Sequence, residues 1–158
     1  MKSILYYDSP VGKLALVAEA DQLIIVGLVG DELPEDAVEH VSGQEPSVLR
    51  RTKQQLDEYF AGTRRNFDLP LAPQGTDFQV KVWNALCTIP YGETNNYGQI
   101  AVQVGNPKAA RAVGGANNRN PIAIIIPCHR VIGANGAMVG YRGGLDIKEH
   151  LLQLEGII

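Results

Sequence analysis

Sulfur is scarce in this 158-residue chain, which holds two cysteines, Cys87 and Cys128. Two are too few for a disulfide framework, and in a reducing compartment both are expected as free thiols. Long apolar runs are missing as well. No window approaches the roughly 20 apolar residues needed to span a bilayer. The start, Met1-Lys2-Ser3, has neither the apolar core nor the small-residue cleavage site of a secretory signal. A cytoplasmic location and no membrane contact are expected. Internal repeats and low-complexity tracts are absent too. The composition, 45% hydrophobic and 20% charged, is that of a globular chain long enough for one large or two small domains.

The most informative absence is local. From Tyr97 to Leu145 there is no Asp or Glu, while Lys108, Arg111, Arg119, Arg130 and Arg142 fall inside that stretch. Against a whole-chain net charge of −3, this places +5 there and −8 on the remainder. A localised basic patch suits an anionic partner, although a glycine-rich loop region that happens to lack acids is the plainer alternative.

Hydrophobic patterning divides the chain near Leu69-Pro70-Leu71-Ala72-Pro73-Gln74-Gly75, where two prolines and a glycine interrupt both helix and strand periodicity. Domains over 1–72 and 76–158 are expected. Before the link, residues 4–7, 13–18 and 23–29 read as strands, with a turn at Ser9-Pro10-Val11-Gly12. Residues 31–46, mixing acids with Gly and Pro, read as loop or as loop with a short helix. Ser47 can cap a helix running to about Ala61, carrying Leu49, Leu56 and Phe60 inward and stopped by Gly62, and residues 67–71 can add a short strand.

After the link, Thr76-Asp77-Phe78-Gln79 fits a capping box opening a helix with Phe78, Val82, Trp83 and Leu86 inward. Cys87, four residues after Trp83, is expected as a buried core thiol. Thr94 or Asn95 can cap the next helix, whose stripe is Tyr97, Ile100, Ala101 and Val104. Gly105 ends it, and Asn106-Pro107 opens a third with Pro at the first helical position. Helix, short Gly-bearing turn, helix is the layout of a helix-turn-helix. Gly114 and Gly115 inside the third helix cost about 1 kcal/mol each relative to Ala. They point to close approach of another backbone, for which DNA and the protein's own core are equal candidates. Ile122-Ala123-Ile124-Ile125-Ile126 should run extended through the core. A Gly-rich loop over 133–144 then precedes a last helix with Asp146 as cap and Glu149 completing a capping box.

Two residues invite chemistry. A cysteine at its ordinary pKa is only about 3% thiolate at neutral pH. Next to Cys128 stands His129, and Arg119, Arg130 and Arg142 make the region electropositive; both favour the thiolate. A small apolar core residue is the competing reading of a cysteine after an isoleucine run. Glu155, in the last turn of a helix, opposes the helix dipole and so calls for a partner or for solvent. Joined through His129 to Cys128, it would complete a nucleophile, base and orienter series.

Taken together these segments resemble the methylated-DNA–protein-cysteine methyltransferases, or O6-alkylguanine-DNA alkyltransferases. The likeness is dense from about 75 to 156. It is carried by Thr76-Asp77-Phe78-Gln79, Ile89-Pro90-Tyr91-Gly92-Glu93 and Tyr97-Gly98-Gln99-Ile100-Ala101. Gly105-Asn106-Pro107-Lys108-Ala109-Ala110-Arg111-Ala112-Val113-Gly114, Asn120-Pro121 and Ile126-Pro127-Cys128-His129-Arg130-Val131 extend it, as do Gly140-Tyr141 and Gly143-Gly144. The first half matches only in outline.

The resemblance implies an α+β fold: an N-terminal ribonuclease-H-like unit and a C-terminal winged-helix-like DNA-binding and catalytic domain. It implies direct reversal repair, in which an alkyl group moves from O6 of guanine, and O4 of thymine, to Cys128 in a single irreversible turnover. His129, through a water and held by Glu155, takes the thiol proton; Tyr97 donates toward the base; Asn120 supports the active-site turn. Double-stranded DNA is implied as partner through its minor groove, with the damaged base flipped out. Arg111 takes that base's place in the stack, and Lys108, Ala112, Gly114, Gly115 and Arg119 share the DNA face. Tyr141, Arg142 and Val131 line the pocket. No cofactor and no metal is implied, and the protein is expected as a monomer. Arg142 departs from the small residue of many relatives and Ala123 from the proline of some, which leaves pocket access open. A lesion sensor that binds without repairing is the alternative. A cysteine hydrolase is weaker, because consecutive Cys and His side chains on an extended segment point opposite ways unless the chain bends after Pro127.

Overall fold

A computed structural model describes residues 1–28, 30–41, 43–138 and 140–158. They gather into two compact units, Met1–Gln74 with Pro121–Ala123, and Gly75–Asn120 with Ile124–Ile158.

In the first unit the alternating sequence folds as a meander. Strands β1 (Lys2–Ser9), β2 (Gly12–Glu19) and β3 (Gln22–Gly27) pair antiparallel, and β4 (Val38–Glu39) adds parallel to β1, giving the order β3-β2-β1-β4. Ala20 and Asp21, both at positive φ, form the turn between β2 and β3, with the handedness that matches strand twist. The third strand stops at Gly27, short of the expected end; Val29, like Ser42 in the loop after it, lies outside the described residues. Ile4, Ala15, Val17 and Ile24 pack beneath Leu33, Ala37 and Ala72.

Helix α1 (Ser47–Phe60) lies against β1, β2 and β3. Its cap is Pro46, whose carbonyl accepts the Leu49 and Arg50 amides, so Ser47 is the first helical residue rather than the cap. Tyr59 is buried where Phe60 was expected, and its neighbour is only half-buried. Tyr7 on β1 donates to Asp57 on α1 at 2.6 Å. The strand expected over 67–71 reduces to one bridge, Leu71 with Leu23. The Gln55 amide takes both backbone groups of Asp68 and so replaces a strand partner there.

The second unit is mostly helical. Helix α2 (Asp77–Leu86) opens on the expected capping box, with Gln79 N–H donating to Thr76 Oγ1 at 3.1 Å and Thr76 N–H to Gln79 Oε1 at 3.0 Å. Val82, Trp83 and Leu86 are buried and Phe78 is half-buried. Cys87 is exposed, not buried: it is the C-terminal cap of α2, where the α-helix ends. Strand β5 (Asn95–Asn96) leads into α3 (Tyr97–Gln103), which is capped by Asn96 in a second capping box with Gln99, one residue beyond the expected caps.

Helix α4 (Ala110–Asn118) packs on α2 and α3 and starts later than Asn106-Pro107 suggested. The Ala109 amide donates to Asn106 O at 3.0 Å, closing a turn with Pro107 inside it; Pro fixes φ as readily in that position as at a helix start. After a 3-10 turn at Cys128–Arg130, β6 (Val131–Ile132) pairs parallel with β5. Helix α5 (Leu145–Leu154) completes the unit. Its cap is Gly144 at φ 99°, with no side-chain cap; Asp146 sits within the first turn, and Glu149 instead accepts from Gln153.

Candidate active site

The isoleucine run does not continue as a strand. Ile122 bridges Val26 within the first unit, and residues 123–125 then turn. Ile124 sits at φ +73°, a strained backbone for a β-branched residue. It is held there by complete burial and by Asn120, whose Nδ2 donates to Ile126 O at 2.8 Å. The Cys128 amide donates to the same carbonyl at 2.8 Å across Pro127. Pro127 has φ −81° and ψ 62°, an inverse γ-turn, and delivers the chain into the 3-10 turn. This is the bend that an extended segment lacked. Asn120 is therefore the clamp of the active turn.

Around the turn, charge is paired tightly. Glu155 caps the C-terminus of α5 with its carboxylate fully buried. Its Oε1 accepts from Arg130 Nε at 2.7 Å and from the Gly92 amide at 3.2 Å. Its Oε2 accepts from His129 Nε2 at 2.6 Å and from Arg130 Nη2 at 3.2 Å. Arg130 Nη1 also donates to Ile89 O at 2.7 Å. The partner that a carboxylate at a helix C-terminus required is thus Arg130 together with His129.

This arrangement fixes the imidazole. Burial lowers the His129 pKa against the opposing pull of Glu155, so the ring is neutral at neutral pH. With Nε2 donating to the carboxylate, the tautomer leaves Nδ1 as an acceptor that can take a proton.

Cys128 itself is 5% exposed. Burial raises its pKa; the Asn120 side chain, the charges of Arg142 and Lys148, and the Tyr141 hydroxyl pull the other way. Of the cations expected to favour the thiolate, Arg142 does so, but desolvation outweighs it and the resting sulfur is a thiol. The Tyr97 hydroxyl is also held up, by burial first and then by Cys128 whenever that sulfur is ionised, so it is a donor. Tyr97 is the first residue of α3 and is half-buried, and its ring lies 3.8 Å from where a side-chain carbon at Gly114 would stand. Val131 is buried on β6 and Tyr141 is buried nearby.

Arg111, Ala112, Gly115, Asn118 and Arg119 line the exposed face of α4. Gly115 meets nothing within 4 Å, so the protein's own backbone does not account for it. Lys108 lies exposed in the turn before the helix rather than on it. Arg142 donates through Nη1 to the carbonyls of Asn118 and Asn120, tying the loop before α5 to the C-terminus of α4.

Three residues escaped the sequence reading. Arg130 was counted only as a cation. Asn117, 2% exposed on α4, donates to Cys128 O at 3.4 Å. Lys148 is fully buried and donates to Val131 O at 2.6 Å. The signal for Lys148 was its spacing three and four residues before Leu151 and Leu152, a lysine on the apolar stripe of the last helix.

Residues 77–157 match the family model described as 6-O-methylguanine DNA methyltransferase, DNA binding domain, and residues 4–73 match its ribonuclease-like domain. The chain is 54% identical to a methylated-DNA–protein-cysteine methyltransferase of Methanosarcina acetivorans over 154 residues, covering 95% of this chain and 96% of the relative. It is 47% identical over 153 residues to the constitutive protein of that name from Bacillus subtilis, covering 95% and 93%. Among solved structures, Mycobacterium tuberculosis OGT in complex with DNA superposes with a TM-score of 0.89 at 47% identity, covering 97% of this chain and 92% of that one. The O6-methylguanine methyltransferase of the same organism gives 0.87 at 46% identity, covering 98% and 93%.

Proposed function

The chain belongs to the 6-O-methylguanine DNA methyltransferase family, and from that premise we propose that it repairs alkylated DNA by taking the alkyl group onto Cys128. The observation that carries the reading is the hydrogen-bonded pair Glu155–His129 on the 3-10 turn that begins at Cys128. Nucleophile, base and orienter are neighbours there, as acyl- and alkyl-transfer chemistry demands.

The sequence of events follows from the protonation states. Cys128 begins as a thiol, so its proton must leave before sulfur can attack. His129, neutral and braced by Glu155, takes that proton through a water. The sulfur lone pair forms a bond to the alkyl carbon while the carbon–oxygen bond to guanine O6 breaks, and its electron pair returns to the base. Tyr97 donates to the base as that negative charge develops, so guanine leaves neutral. O4-alkylthymine offers the same leaving group and is a second substrate. The product is a thioether, which no residue here reverses, so each molecule acts once.

The substrate is double-stranded DNA. A thiol 5% exposed cannot reach a base within a stack, so the base is flipped out to meet it. Helix α4 enters the minor groove with its open face. Arg111 fills the gap in the stack, and Lys108, Arg119 and the small residues Ala112 and Gly115 admit the backbone. The domains divide as 1–72 and 76–158, apart from Pro121–Ala123, which gather with the first, and the second carries DNA binding and transfer. The protein works as a monomer in the cytoplasm. Among the described residues no helix is long and apolar enough to cross a membrane.

The test is intact mass after incubation with duplex DNA carrying O6-methylguanine. One added methyl group per molecule, absent in Cys128→Ala, is expected. A methyl group gained by Cys128→Ala, or none gained by the wild-type protein, sinks the reading.

A further inference from the structure

Two buried acceptor atoms beside the nucleophile have no hydrogen-bond partner among the described residues: Nδ1 of His129 and Oδ1 of Asn117. Both side chains are almost fully buried, at 0% and 2% exposure. An uncompensated buried carbonyl is destabilising, and an apolar residue on this face of α4 would avoid it. Nor does the other end of the amide explain Asn117. Its Nδ2 reaches Cys128 O only at 3.4 Å, and that carbonyl already accepts the Val131 amide.

The geometry narrows what these atoms can hold. With Nε2 committed to Glu155 as a donor, the neutral imidazole offers only a lone pair at Nδ1. An amide oxygen also offers only lone pairs. Two acceptors cannot bond each other, but one small molecule that donates twice can serve both, and water is the smallest. The Asn117 amide nitrogen lies 3.4 Å from the carbonyl of the peptide that joins Cys128 to His129, so this amide and the imidazole adjoin the same peptide.

We infer that Asn117 is a positioning residue for thiol deprotonation, its Oδ1 and His129 Nδ1 anchoring the two hydrogens of one water whose lone pair faces Cys128. The inference rests on the reading of Cys128 as acceptor and His129 as base. In the step, the water takes the proton from Sγ and gives one of its own to Nδ1. It ends with two hydrogens, the sulfur with one negative charge and the imidazole with one positive charge beside Glu155. Asn117 Oδ1 keeps the second hydrogen from wandering, so the lone pair stays aimed at sulfur.

The experiment follows methyl transfer to Cys128 by intact mass in single-turnover reactions across pH, for wild type, Asn117→Leu and Asn117→Ser. The leucine variant should lose on the order of tenfold in rate at neutral pH. It should recover only at higher pH, where hydroxide replaces the oriented water, and melt no lower than wild type. Serine keeps an acceptor oxygen and room for water, and should keep the wild-type pH profile. A leucine variant whose pH profile is unshifted overturns the inference, whatever its rate. So do leucine and serine variants slowed equally with unshifted profiles. If Asn117→Leu does not fold, Asn117→Met takes its place with the same two outcomes. A wild-type protein that gains no methyl group overturns the reading of Cys128 itself.

Discussion

Arg130 grips both carboxylate oxygens of Glu155, through Nε at 2.7 Å and Nη2 at 3.2 Å, in a setting where the carboxylate has no exposure. The residue after His129 thus holds the carboxylate to which His129 is hydrogen-bonded. A charge pair this buried has a known asymmetry: whole, it is close to neutral for stability, but broken it leaves an uncompensated ion. Arg130→Ala is therefore expected to cost about 3–5 kcal/mol, read as a lower midpoint in urea. The double variant Arg130→Met with Glu155→Gln should recover part of that loss. A single variant as stable as wild type would refute the account.

Stability should depend on pH at both ends. His129 titrates below its ordinary 6.5 in the folded state, so the unfolded chain binds the proton first and stability falls as pH drops below about 6.5. Cys128 titrates above its ordinary 9.0, so the unfolded chain loses the proton first and stability falls as pH rises beyond about 9. A plateau in melting temperature between these limits is expected. Cys128→Ala should flatten the alkaline arm, and a variant that leaves it unchanged contradicts the assignment.

Repair rate should follow the same imidazole. Because neutral His129 is the competent form and burial keeps it neutral, single-turnover transfer should persist as pH falls through 6.5 and fail only below it. A rate that halves at the ordinary imidazole value would show that the ring is not held as described.

Lys148 places a buried cation where it opposes the burial of the thiol. Replacing it by Met should slow alkylation of Cys128 by iodoacetamide several-fold at neutral pH, with recovery in alkali. Equal reactivity of the two proteins at every pH would remove Lys148 from the electrostatics of the site.

Arg111 is exposed on α4. Arg111→Ala should slow repair of duplex substrate roughly a hundredfold, since base extrusion costs a few kcal/mol, while reaction with a free O6-alkylguanine base is unchanged. Equal losses on both substrates would take Arg111 out of the extrusion step.

Much of this was legible wherever local chemistry decides structure. Thr76 with Gln79, the β1–β2 hairpin and the need of Glu155 for a partner were all short-range consequences of residue type. What escaped depended on partners distant in sequence. The isoleucines from 122 looked like a strand because β-branched residues favour one, yet the Asn120 side chain folds the backbone over and burial holds Ile124 at positive φ. Asn106-Pro107 suits a turn as well as a helix start. Cys87 shares the face of Trp83, but the helix ends beneath it. The cations around Cys128 can be counted in the sequence, but the desolvation that outweighs them depends on burial that only the fold reveals.

The bracing of His129 by Glu155 spans 26 residues of chain. At roughly 5–20 residues per second, a ribosome makes the nucleophile about one to five seconds before it makes the carboxylate that arms the base. A nascent or prematurely terminated chain therefore carries Cys128 without a fixed imidazole. A chain cut before Glu155 keeps Cys128 and His129 but lacks the carboxylate that holds the imidazole and pairs with Arg130.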